Sequence, residues 1–148
     1  MMEIVEFAPR HVSAAAEIEK LCFSQPWSEE SLALPATGEY GWGMACEVDG
    51  VLVAYACMVS VLDEGEIVNV ATHPDYRRHG YARAVLGALI EAAQNDGIET
   101  ISLEVRESNL AAQSLYASFN FIPVGKRKDF YSKPREDAII MLMRTEGN

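Results

Sequence analysis

A chain of 148 residues with 49% hydrophobic and 23% charged residues has the size and balance of one globular domain spanning 1–148, and not of a disordered segment. Its formal charge of −10 argues against a nucleic-acid ligand, whose phosphates need a basic face, and no apolar run approaches the ~18 residues of a membrane helix. Cys22, Cys46 and Cys57 are odd in number and lack CxxC spacing, so they read as small core hydrophobes in a reducing cytoplasm, with neither disulfide nor zinc expected.

MMEIVEFAPRH has no basic stretch leading into an apolar core and is not read as a secretory signal. Glu3 to Phe7 forms a first strand. His11 to Phe23 carries Val12, Ala15, Ala16, Ile18, Leu21 and Cys22 at helical spacing. Ser28, followed by Glu29 and Glu30, caps a second helix. Thr37 to Gly43 is a loop. Met44–Val48 and Val51–Leu62 are strands joined by Asp49-Gly50, a two-residue hairpin signal. Ile67–Thr72 is a β-branched strand stopped by His73-Pro74.

Tyr81 to Asn95 places Val85, Leu86, Leu89, Ile90 and Ala93 on one helical face, with Gly97 as the stop. Thr100 to Arg106 alternates, with Ile101, Leu103 and Val105 on one side and Ser102, Glu104 and Arg106 on the other. Ser108 caps a helix running to about Phe119. Phe121–Phe130 and Ala138–Arg144 close the chain as an antiparallel pair. The strand–helix–strand unit from Ile67 to Arg106 makes its two strands parallel, so the sheet is mixed. Ligands of such sheets lie beyond the carboxyl ends of the parallel strands, which points to Thr72–Arg83 and Arg106–Asn109.

Between that strand and helix lies Arg77-Arg78-His79-Gly80-Tyr81-Ala82-Arg83, with three arginines in seven residues of an acidic protein. A helix start offers unpaired amides and a positive dipole end to an anion. Gly80 and the small Ala82 let a phosphate come close to the backbone. Taken alone, this segment reads equally as a solvated helix start.

Arg77-x-x-Gly80-x-Ala82, set between a strand and an amphipathic helix, resembles the coenzyme motif of the GNAT N-acetyltransferases. Asn109-x-x-Ala112-x-x-x-Tyr116, continuing to Asn120-Phe121, resembles a second element of that family, with Asn120 standing where glycine is usual. Pro26-Trp27-Ser28, Leu103–Arg106, Ser108-Asn109 and Arg135–Met141 resemble the bacterial ribosomal-protein-alanine branch of the family. The resemblance implies an α/β (α+β) GNAT fold: a mixed, mostly antiparallel sheet, a central parallel strand pair splayed around acetyl-CoA, and helices on both faces. It implies acetyl-CoA as co-substrate, held by Val70, Ala71 and Thr72 along the pantetheine arm and by Arg77, Arg78, His79, Gly80, Tyr81, Ala82 and Arg83 at the pyrophosphate. It also implies the N-terminus of a ribosomal protein as acceptor, in a cytoplasmic protein with no membrane or direct nucleic-acid partner; a monomer is favoured.

Acetyl transfer to an amine requires the amine to lose a proton and the departing thiolate to be quenched. The resemblance assigns the base to Glu104, acting through water, and the acid to Tyr116. Read from the residues alone, Glu104 is also consistent with a solvent-facing glutamate or one ion-paired to a neighbour such as Arg106, and Tyr116 with a ring packed in the core. Asn109 either hydrogen-bonds the coenzyme or caps its helix. Trp27, Tyr131 and Arg135 are candidates to flank the acceptor. His73, Asp75 and His79 read as loop residues, and no metal is expected. Two other readings remain open: an acetyltransferase of small-molecule amines, and a non-catalytic coenzyme-A-binding module.

Overall fold

The computed structural model describes residues 1–145. In chain order it forms β1 (Met2–Glu6), α1 (Val12–Cys22), α2 (Glu29–Thr37), β2 (Trp42–Val48), β3 (Val51–Val61), β4 (Glu64–Thr72), α3 (Tyr81–Asn95), β5 (Thr100–Arg106), α4 (Leu110–Ala117), β6 (Ile122–Tyr131) and β7 (Glu136–Arg144). Single 3-10 turns stand at Pro9–His11 and Pro74–Tyr76. The strands hydrogen-bond in the order β1-β2-β3-β4-β5-β7-β6. Neighbours β1–β2, β2–β3, β5–β7 and β6–β7 are antiparallel, whereas β4 and β5 are parallel, pairing Glu64, Gly65 and Glu66 with Thr100, Ile101 and Ser102. The mixed sheet expected from the strand–helix–strand unit is present.

Local chemistry explains the joints. Asp49 and Gly50 both take positive φ, 52° and 83°, which is the backbone a two-residue hairpin between right-twisted strands demands. Ser28 caps α2 by accepting from the Ser31 amide at 3.1 Å. Asn120, with φ 72°, takes the left-handed conformation expected where the family has glycine.

The chain divides into two compact units, Met1–Val59 with Ile67–Ala92, and Ser60–Glu66 with the chain from Ala93 onward. In the first, Phe7, Ala15, Ile18, Leu32, Tyr55 and Ala71 form a buried cluster. Val85, Leu86, Leu89 and Ile90 of α3 are buried as their spacing predicts. In the second, Ile101, Leu103 and Val105 of β5 are buried, and so are Tyr116, Phe121, Met141 and Met143.

Two expectations are corrected. On α1 the buried stripe is Ala15, Ala16, Ile18 and Glu19, and Leu21 is exposed, because a glutamate rather than a leucine occupies the inward position next to Ala15 and Ala16. The cap of α4 is Asn109 rather than Ser108: its side chain accepts from the Ala112 amide at 3.1 Å, and the helix ends at Ala117 rather than near Phe119.

Candidate active site

Within the first unit, β4 ends in Val70, Ala71 and Thr72, with Ala71 buried and its neighbours half-buried. The strand end is anchored where the His73 amide donates to the Val53 carbonyl at 2.8 Å. The Thr72 carbonyl accepts from the Cys22 thiol at 3.2 Å, and an Arg77 guanidinium nitrogen lies 3.6 Å from that sulfur. Burial pushes the Cys22 thiol up, with Arg77 opposing. Cys46 and Cys57 are buried as expected, and burial with the nearby Glu19 charge pushes Cys57 up to about 12. Protonated thiols of this kind are poor nucleophiles.

The loop from Arg77 to Gly80 is shaped by two left-handed residues, Arg78 at φ 67° and Gly80 at φ 80°. His79 braces it, its Nδ1 donating to the Arg77 carbonyl at 2.8 Å while its ring stacks on Tyr81 at 5.6 Å. The Gly80 carbonyl accepts from the Ala84 amide at 3.0 Å, so α3 starts there and its first amides, from Tyr81 and Ala82 on, have no helical carbonyl to meet. A Cβ built on Gly80 would meet nothing within 4 Å, so the space above this backbone is open to an anion. Arg77, Arg78, His79 and Arg83 are all exposed. This is the chemistry of a phosphate cradle.

His73 is turned to a structural task, its Nδ1 accepting from the Asp75 amide at 3.0 Å. Among the described residues no group of three His, Cys, Asp or Glu side chains could hold a metal ion.

Within the second unit, Glu104 projects from β5 and forms an ion pair from Oε2 to Arg127 Nε at 2.5 Å. Arg106, the ion-pair partner the sequence left open for Glu104, instead binds Glu136 at 3.1 Å and the Pro134 and Ser132 carbonyls, and lies 4.5 Å over the Tyr131 ring. Glu136 also accepts from the Ser108 amide at 2.6 Å, and the Ser108 side chain and amide together with Arg106 hold its carboxyl below the usual range. Tyr116 is buried beside Phe121, at 5.9 Å between rings, and burial pushes its phenol up to about 12. Asn109 is exposed, with its side-chain oxygen engaged as the cap.

Of the residues considered for the acceptor, Trp27 packs against the core of the first unit, Tyr131 lies half-buried under Arg106, and Arg135 is exposed. Sequence reasoning missed Arg127 and Glu66 beside Glu104, and it missed a buried polar set in the first unit. There Glu19, 1% exposed, accepts from Tyr55 Oη at 2.5 Å, Asn69 Nδ2 at 2.7 Å and the Trp27 amide at 2.9 Å. The signal was available: Glu19 stands three residues after Ala16 and three before Cys22, inside the apolar stripe, and Asn69 interrupts Ile67 and Ala71 on the inward face of β4.

Comparison with known proteins places this geometry. A family model described as the acetyltransferase (GNAT) family matches residues 12–121. The chain is 40% identical over 132 residues to the [ribosomal protein bS18]-alanine N-acetyltransferase of Escherichia coli strain K12, covering 88% of each chain. The crystal structure of the ribosomal-protein-S18-alanine N-acetyltransferase from Escherichia coli superposes with a TM-score of 0.89 and 38% identity, covering 97% of this chain and 94% of that one. Arabidopsis thaliana NAA60 in complex with acetyl-CoA shares the fold at a TM-score of 0.88 and 16% identity, covering 98% of this chain and 100% of that one.

Proposed function

The chain belongs to the GNAT acetyltransferase family, and on that premise we propose that it acetylates the N-terminal alanine of a small-subunit ribosomal protein, acting as one catalytic domain. It is an acyltransferase, and acetyl-CoA is its co-substrate. The observation that carries the acetyl-CoA reading is the loop: two left-handed residues, a glycine with open space above it, and the first amides of α3, which precede the helix's own hydrogen bonding, together suit a diphosphate. The acceptor is supported by the relatives that share about 40% of their residues with this chain over nearly nine-tenths of its length. A ribosomal substrate sets this work in the cytoplasm.

In the proposed reaction the loop from Arg77 to Arg83 holds the pyrophosphate, and the backbone of Val70, Ala71 and Thr72 lies along the pantetheine arm. Asn109 adds its side-chain NH2, since its oxygen is engaged as a cap. An α-amine has pKa ~8, so much of the acceptor arrives protonated at neutral pH. Glu104 takes that proton through water, and the free amine attacks the carbonyl carbon of the thioester. As the C–N bond forms and the C–S bond breaks with its electron pair left on sulfur, the nitrogen gives its remaining extra proton to solvent, which leaves a neutral amide and a thiolate. Tyr116 faces that thiolate. With its phenol near 12 it is a weaker acid than a thiol at ~8.5, so its contribution is a hydrogen bond that spreads the charge on sulfur rather than outright proton transfer.

A thiol-release assay tests the reading. Coenzyme A should appear with a peptide beginning in alanine and not with the same peptide blocked at its N-terminus. Faster turnover of polyamines or amino sugars than of any peptide would favour the small-molecule alternative.

Gly80→Ala separates coenzyme binding from folding. No atom obstructs the new methyl, so the fold bears only the left-handed strain, ~1–2 kcal/mol. The methyl intrudes where the diphosphate must approach, so KM for acetyl-CoA should rise about tenfold or more, equivalent to ~1.4 kcal/mol, with a Tm loss of a few degrees. An unchanged KM would remove the loop from the coenzyme site.

A further inference from the structure

Glu104 does not stand alone on its strand face. Glu66 of β4 pairs in register with Ser102, and Ser102 and Glu104 share one side of β5, so the two carboxylates point the same way from neighbouring parallel strands. The guanidinium of Arg127 reaches this face from β6, with its Nε on Glu104 Oε2 at 2.5 Å. The Arg127 guanidinium also lies 5.8 Å from the Phe130 ring.

A bulge aims this arginine. The β6–β7 register goes from Arg127↔Ala138 to Tyr131↔Glu136, so four steps on β6 match two on β7. Within it, Asp129 is left-handed at φ 55°, and its amide donates to Asp137 Oδ1 at 2.8 Å. Such irregularities re-aim side chains and are built features of a sheet. Here one is enclosed by Arg127 and Tyr131, the two β6 residues whose charge or phenol acts on the Glu104–Glu66 face. Burial and then Glu104 push the Glu66 carboxyl up, while Arg127 holds it down; Tyr131 is pushed up by burial and then by Glu104.

We propose that Arg127 is a positioning residue for acetyl transfer: it clamps the Glu104 carboxylate and neutralises the repulsion between Glu104 and Glu66. The assignment rests on Glu104 being the base of the proposed reaction. The other charged and titratable groups placed around this face among the described residues include Glu64 from β4, in register with Thr100, Tyr131 from β6, Arg106 from β5 itself and Glu136 from β7, and the last two are engaged with each other. Arg127 is therefore the cation that faces both carboxylates. Its side chain is 59% exposed against 18% for Glu104, so losing it alters the electrostatics of the face more than the core.

The test is the pH dependence of kcat/KM for an alanine peptide in the wild type, Arg127→Met, Arg127→Lys, Glu66→Gln and Glu104→Gln. The peptide amine contributes the same limb wherever Glu104 is kept, so any difference among those variants belongs to the enzyme. Without the guanidinium two like charges face each other and one takes up a proton more readily, so in Arg127→Met the acid limb should move up by about one pH unit. At pH values below the limb its kcat/KM should fall roughly tenfold, with KM for acetyl-CoA unchanged. Arg127→Lys should restore the limb, and adding Glu66→Gln to Arg127→Met should move it back down. An acid limb that stays in place in Arg127→Met while Glu104→Gln is impaired would overturn the role of Arg127. If Glu104→Gln itself keeps full activity, the assignment of the base fails instead. Circular dichroism of each variant separates either result from misfolding.

Discussion

Glu104→Gln should lower kcat/KM for an alanine peptide by about 10²–10⁴ at neutral pH, the range a positioned general base contributes. The substitution keeps the shape of the side chain and removes its charge. The remaining Arg127 is exposed enough to be solvated, so Tm should change by no more than a few degrees. Acetyl-CoA affinity, measured by calorimetry, should hold, because the groups proposed to grip it are the segment from Val70 to Arg83 and Asn109, and not Glu104. A loss confined to kcat/KM with binding and folding intact is the pattern of a missing proton acceptor.

The pH dependence sharpens this result. If Glu104 removes a proton from the ammonium, its absence matters less once solvent has already removed it. As pH rises toward the amine pKa of ~8 the deficit of Glu104→Gln should therefore shrink, by about tenfold per pH unit at the steepest, and level off above it. An equal deficit at pH 6.5 and pH 9.5 would mean that the carboxylate orients the peptide rather than taking its proton. That outcome would leave the coenzyme site intact and move Glu104 into the acceptor's binding contacts.

Much of this geometry was legible in the residues. The Asp49-Gly50 hairpin, the α3 stripe from Val85 to Ala93 and the β5 alternation all follow from local rules, and the structure reproduces them. Local rules fail where partners come from distant positions. Glu104 and Arg106 share a strand face, but their partners arrive from β6 and β7, 23 and 30 residues further along. The order β5-β7-β6, with the last strand inserted between the other two, is equally invisible to periodicity. The Ser108–Asn109 ambiguity is of a different kind. Either residue caps a helix, and the choice falls on Asn109 while the Ser108 amide is taken by Glu136.

Glu19→Ala should be the most damaging single change to stability, at about 3–5 kcal/mol, because it strips a buried acceptor from three donors at once. Each buried donor left without a partner costs ~1–3 kcal/mol, and the terms overlap. Against a typical total of 5–15 kcal/mol, a fifth or more of the stability would go, and Tm should fall by roughly 10 °C. Glu19→Gln should cost less, about 1–3 kcal/mol: the oxygen facing Trp27 is kept, while an NH2 is turned toward the Tyr55 hydroxyl and the Asn69 amide, both of which were donating. Replacing the set together, as in Glu19→Leu with Tyr55→Phe and Asn69→Leu, should recover much of the loss, since no donor is then left to satisfy. Denaturant unfolding of the three variants decides the matter: if the triple variant is no more stable than Glu19→Ala, packing volume rather than hydrogen bonding is what Glu19 supplies. The site feels the same change, because Asn69 directly precedes Val70 on β4. A loosened Asn69 should raise KM for acetyl-CoA in Glu19→Ala at temperatures well below its transition, coupling the stability of a buried carboxylate to the strand proposed to carry the pantetheine arm.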